Sequence, residues 1–205
     1  MVIGMNILIS SQVFKSNAWR EKLILSPYLI KHDGQWYRLF SHSWIHADWQ
    51  HLLFNMVSLY YLGGKILNMW QDTYGDIKST GLFLFLYIAG GVAATIFPYL
   101  KNQDNSSYRA LGAPGAVSAV IFAAILWNPI MKLGLPFIPV GIPAYIFGPL
   151  YLLIEYFVMR NLKTGVAHDA HLGGALFGIL FVLFLNLDKG KDFLIYFSDY
   201  DFVRK

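Results

Sequence analysis

Apolar segments about as long as a bilayer is thick, separated by short polar stretches, fill this chain from end to end. A spanning helix needs about 20 mostly apolar residues. Six apolar stretches, the first of them short, fall at 1–14, 50–70, 81–100, 113–128, 143–160 and 166–187. Only 14% of the 205 residues are charged and 56% are hydrophobic, whereas a soluble domain carries about 25% charged residues. That supply cannot cover a water-facing surface, so a large soluble domain is excluded. The length suits a single domain, 1–205. The pattern therefore predicts an all-α membrane protein of six spans.

The flanks refine this picture. Residues 1–14 reach roughly 21 Å at about 1.5 Å per residue, short of the ~30 Å hydrocarbon core. They carry Asn6, Ser10, Ser11 and Gln12, without the basic start and small-residue cleavage site of a signal peptide. They read as a short first helix. Residues 15–49 are polar and rich in aromatics (Trp19, Trp36, Tyr37, Trp44, Trp49), which suits an interfacial loop at headgroup depth. Pro129 stops the fourth span, and a Gly/Pro-rich connector covers 133–143. The net charge of +4 is scattered between apolar segments. No basic run with interleaved aromatics offers a nucleic-acid face. Lysines and arginines divide almost evenly between the two sides, so the positive-inside rule gives no orientation. Cysteine is absent, which excludes disulfides and thiolate metal sites.

Polar groups inside spanning segments are costly and mark function. Three clusters carry them. In the first, His42, His46, His51 and Asn55 lead into the second span; His51 and Asn55 are four apart and share a helix face. Both can donate hydrogen bonds, as a developing oxyanion requires in a low-dielectric site. The second is Ala110-Leu111-Gly112-Ala113-Pro114-Gly115-Ala116-Val117-Ser118, opening the fourth span. Its glycines permit close backbone approach, and helix N-terminal amides favour an anion above them. The third is His168-Asp169-Ala170-His171-Leu172-Gly173-Gly174, with Gly178 beyond. His171, Gly174 and Gly178 share one face, and small residues four apart let two membrane helices touch.

Together these strings, with Trp36-Tyr37-Arg38-Leu39-Phe40-Ser41-His42, resemble the rhomboid family of intramembrane serine proteases in order and spacing from about Leu25 to Leu185. The resemblance implies a six-helix bundle with a half-submerged first loop. It implies a serine endopeptidase that cuts membrane proteins in or near their transmembrane segments, with no metal or cofactor. Carried over by position, His171 is the general base, and His51, Asn55 and the Gly115 amide form the oxyanion site. Gly112, Gly174, Gly178, Arg38, His46 and His168 are structural neighbours. The partners implied are the lipid bilayer and transmembrane segments of substrates or clients, and a bacterial inner membrane is the expected location.

Two departures qualify the implied activity. Pro114 stands at the nucleophile position; it has no hydroxyl, so no acyl-enzyme can form through it, and no N–H to donate. Its fixed φ suits the first turn of a helix, so the fold should persist. Leu67 replaces the glutamate that usually partners the arginine at position 38, leaving Glu155 or Asp72 as substitutes. The expectation is a rhomboid scaffold with serine-protease activity absent or very low. The alternatives are a non-catalytic protein that binds membrane client helices, or a residual protease using Ser118, one turn beyond Pro114. Ser118 suits that role poorly, because the oxyanion donors gather around the helix start. His42, His46 and His51 could suggest a metal, but zinc sites need further ligands in fixed geometry, and the family pattern accounts for all three. Glu155 reads as a partner of Arg38 or as facing a water-lined interior.

Overall fold

The computed structural model describes residues 1–135, 138–162 and 167–198. The chain is mostly helical. Helix α1 (Val2–Val13) occupies the first apolar stretch. The polar segment that follows is built of short helices: α2 (Asn17–Leu23), α3 (Pro27–Asp33), α4 (Arg38–Ser41) and a 3-10 turn, His42–Trp44. Their starts are capped locally. The Ser16 and Ser26 hydroxyls accept from the Trp19 and Leu29 amides, and Pro27 sits in the first turn of α3.

Helix α5 (Trp49–Ser58) runs through a π-helical turn, Leu59–Gly63, into α6 (Gly64–Tyr74). Helix α7 (Asp76–Ala93) starts earlier than the apolar run alone suggests. It is followed after a break at Ala94 and Thr95 by α8 (Ile96–Asn102). Helix α9 (Pro114–Trp127) is the hub, and nearly every residue along it is buried. Helices α10 (Ala144–Asn161) and α11 (His168–Leu185) complete the bundle. Two stretches, Asp76–Asn102 and His168–Leu185, are long and apolar enough to cross a membrane; Val2–Val13 and Pro114–Trp127 are shorter apolar helices.

Two features depart from the sequence reading. The connector after α9 is not irregular: β1 (Lys132–Leu135) pairs antiparallel with β2 (Ile138–Pro143), in the register Lys132↔Pro143 and Leu133↔Ile142. The fold is therefore not strictly all-α. Prolines at 136, 139 and 143 forbid a helix there, and extended backbone is what remains. A further helix, α12 (Asp188–Ser198), opens on the polar run 188–191, beyond the six apolar stretches.

Between apolar helices in lipid there is little hydrophobic drive, so close packing has to supply the adhesion. The α9–α11 seam shows how. A methyl group added at Gly174 would overlap the Gly115 carbonyl, and one at Gly178 would overlap that of Ala119. Gly90 of α7 lies against Ala119, and Gly91 against Ser43 and Ala116. Away from this seam Trp70 is fully buried, edge-on to Trp127 at 5.8 Å and near Phe181 at 6.0 Å.

Candidate functional site

The loop before α9 is fixed by the first polar segment rather than by its own sequence. The Leu25 and Ala110 backbones exchange hydrogen bonds, Leu25 donating at 2.8 Å and Ala110 at 3.2 Å. The Gly112 amide donates to the His42 carbonyl at 3.0 Å. Gly112 has φ +116°, and a Cβ there would lie 2.5 Å from His51 Cε1. Only glycine lets the histidine ring close over this turn. Pro114 is then the first residue of α9.

His51 and Asn55 reach the same place from α5, whose start is capped by Asp48 Oδ1 accepting from the His51 amide at 2.8 Å. His51, Asn55, Pro114, His168 and His171 all line one cavity of about 780 Å³. Its remaining wall comes from the segment around Arg20 and Asp48, the loop from Lys101 to Leu111, and the facing ends of α10 and α11. The Asn55 amide nitrogen is buried without a hydrogen-bond partner. Gly115 is buried one residue beyond Pro114, and a Cβ there would lie 3.3 Å from the Ala170 carbonyl oxygen, next to His171.

His171 is held through Nδ1, which lies 3.0 Å from Glu155 Oε1 and 3.0 Å from the Tyr151 hydroxyl. His168 Nδ1 lies 2.5 Å from Glu155 Oε2. Glu155 therefore serves the histidines of α11 and not Arg38, correcting the pairing expected from sequence. Arg38 is satisfied elsewhere. It donates to Gln35 Oε1 at 2.7 Å and to the Glu21 and Ile24 carbonyls at 2.9 and 2.6 Å. One turn inside α9, Ser118 is buried and is not among the cavity-lining residues.

His42 and His46 do different work. His42 Nδ1 donates to the Arg38 carbonyl at 2.9 Å, bracing the polar segment. His46 is fully buried, with Nδ1 2.9 Å from the Ser10 hydroxyl and its ring edge-on to His51 at 5.1 Å. Burial lowers the pKa of His42 to about 4 and that of His46 to about 3, the neighbouring His51 adding to the second. Both rings are neutral near pH 7. Among the described residues, no group of three His, Asp or Glu is arranged to hold a metal ion.

Tyr151, beside His171, is what sequence reasoning missed. Its signal was legible: a carboxylate isolated in an apolar helix must find a partner, and Tyr151 lies one turn before it. The partner's identity depended on how α10 meets α11.

Comparison with known proteins agrees with the motif pattern. A rhomboid domain family model matches residues 33–187. The chain is 22% identical to RHOMBOID-like protein 12, mitochondrial, of Arabidopsis thaliana, over 93% of this chain and 59% of that protein. It is 29% identical to presenilin-associated rhomboid-like protein A, mitochondrial, of Danio rerio, covering 68% and 35% respectively. Rhomboid protease AarA of Providencia stuartii is 26% identical, covering 75% and 57%. The chain thus spans between 35% and 59% of the length of these relatives. The chain belongs to the rhomboid family of integral membrane proteins.

Proposed function

We propose that this chain is a single six-span rhomboid domain, 1–205, that binds transmembrane segments of client proteins in the cavity over Pro114 and carries out no serine acyl-transfer chemistry. One observation carries the reading: the cavity that gathers His171, His51 and Asn55 has proline at the head of α9. No covalent intermediate can form on a residue without a nucleophilic atom. Ser118 does not repair the loss, being buried and outside the cavity lining.

Several features support the bilayer placement. Large apolar side chains face outward along the bundle, including Phe184 at 87% exposure and Leu153 at 66%. In water a surface of this kind would promote aggregation; in lipid it is the expected exterior. The loop residues that line the cavity, in the segments 15–49 and 103–113, fall on one side of a six-span path, and so do the ends of α10 and α11 that complete it. The first segment then lies half-submerged, and α1 is the short first span. Members of the family act on membrane proteins within the bilayer, and the Providencia relative is named as a protease. Our reading places the chain in a bacterial cell membrane, although relatives from Arabidopsis and Danio carry mitochondrial names.

Client binding is tested by replacing Leu162, on the cavity rim, with a photo-crosslinking amino acid in the full chain in liposomes. A labelled transmembrane peptide should crosslink there, and should not crosslink from Gly134 in the hairpin. Equal crosslinking at both positions, or at neither, contradicts the reading.

A further inference from the structure

Glu155 is the ionisable group that client binding leaves unused. It lies midway along an apolar helix at 9% exposure, where an unpaired carboxylate is expensive. Two groups compensate it, His171 Nδ1 at 3.0 Å and His168 Nδ1 at 2.5 Å, and the Tyr151 hydroxyl lies 3.0 Å from the same His171 nitrogen. A carboxylate at Nδ1 fixes the proton there and leaves the lone pair on Nε2. His171 Nε2 has no hydrogen-bond partner among the described residues, and the residue lines the cavity. An imidazole held this way is a general base in its working tautomer. Beside Pro114, however, it has no hydroxyl to deprotonate.

The cavity supplies the alternative. At about 780 Å³ it has room for water beside a bound chain, and its walls carry Asp48, His51, Asn55 and Asp169. We propose that His171, aligned by Glu155, activates a cavity water that attacks a peptide bond of the bound client directly, without an acyl-enzyme. This rests on the reading that client segments bind in this cavity. Nε2 takes a proton as the water oxygen bonds to the scissile carbonyl carbon, and the carbonyl electron pair moves onto oxygen. The oxyanion meets His51 and the Asn55 amide nitrogen, the latter a buried donor that is otherwise unsatisfied. On collapse the C–N bond breaks and the leaving nitrogen takes the proton from Nε2. The new carboxylic acid releases its proton to solvent, leaving the imidazole neutral. His171 is the catalytic residue. Glu155 is a positioning residue acting through it, His168 holds the carboxylate in place, and the Tyr151 hydroxyl braces the His171 ring.

The test uses the full chain in liposomes with a fluorogenic transmembrane peptide, with and without hydroxylamine. The native chain should cleave slowly and yield only the carboxylic acid, since no acyl-enzyme exists for hydroxylamine to intercept. His171→Gln should lower the rate about 100-fold or more, and Glu155→Gln about 10- to 100-fold. The ¹⁵N resonances of His171 should report a proton on Nδ1 in the native chain and a tautomer mixture in Glu155→Gln. Should Glu155→Gln fail to fold, the native ¹⁵N spectrum and His171→Gln decide. A peptide that crosslinks in the cavity yet is cut no faster than in His171→Gln overturns the water mechanism and leaves client binding intact. Hydroxamate formation, or a proton on Nε2 in the native chain, also overturns it. A peptide that does not crosslink removes both proposals.

Discussion

Single atoms decide most of what happens around α9. At Gly174 a Cβ would overlap the Gly115 carbonyl, and backbone cannot yield as a flexible side chain can. Gly174→Ala should therefore destabilise the fold by about 1–3 kcal/mol, read from unfolding in detergent. An unchanged midpoint would mean that α9 and α11 are further apart. The buried histidines of the polar segment set a pH dependence of stability. The folded pKa of His42 is lowered from 6.5 to about 4 and that of His46 from 6.5 to about 3. Below pH 6.5 the unfolded chain binds protons that the folded chain refuses, so stability falls with falling pH through that window and is flat above it. His46→Gln should flatten the slope between pH 6.5 and 4, measured as melting temperature against pH; an unaltered slope would place the titrating group elsewhere. At this scale the sequence was informative where chemistry is local. Pro114 was expected in the first turn of a helix and stands there. The partners of Glu155 and Arg38 were not legible, because each choice depends on which helices meet, and a carboxylate can accept from an arginine or a histidine equally well on paper.

Elements were readable where one period dominated. The apolar runs marked the long helices. Residues 15–49 looked irregular because helices of a turn or two carry no periodicity; only Ser16, Ser26 and Pro27 signalled their starts. The hairpin after α9 was masked by its glycines and prolines, which argue against helix without arguing for strand pairing. Helix α12 was overlooked for another reason: its polar opening at Asp188 reads equally as a stop. It exposes Leu194, Ile195 and Phe197 while Phe193 packs on the core. A helix of this kind suits the membrane interface. The native chain has no cysteine, so a single cysteine at Ile195 can carry an environment-sensitive fluorophore. Its emission should shift to the blue on reconstitution into liposomes, and a probe at Asp192 should shift much less. Equal shifts would contradict an interfacial helix.

At the scale of the whole molecule, the site exists only because distant segments converge. His51, Pro114, Glu155 and His171 come from four helices, and the first polar segment clamps the loop between two of them. A six-span path makes a topological demand as well. Residues 103–109 and the start of α1 must lie on opposite sides of the bilayer. Single cysteines at Asn105 and Met1 should thus react with an impermeant maleimide from opposite faces of oriented vesicles; labelling from one face would remove a span. The proposed function puts its strongest demand on the scaffold's integrity: the surroundings of Pro114 must still be arranged to serve a serine placed there. Labelling by a fluorophosphonate tests this most directly. The native chain should stay unlabelled, Pro114→Ser should label, and Pro114→Ser with His171→Ala should not. Labelling of the native chain, or none in Pro114→Ser, would contradict the account.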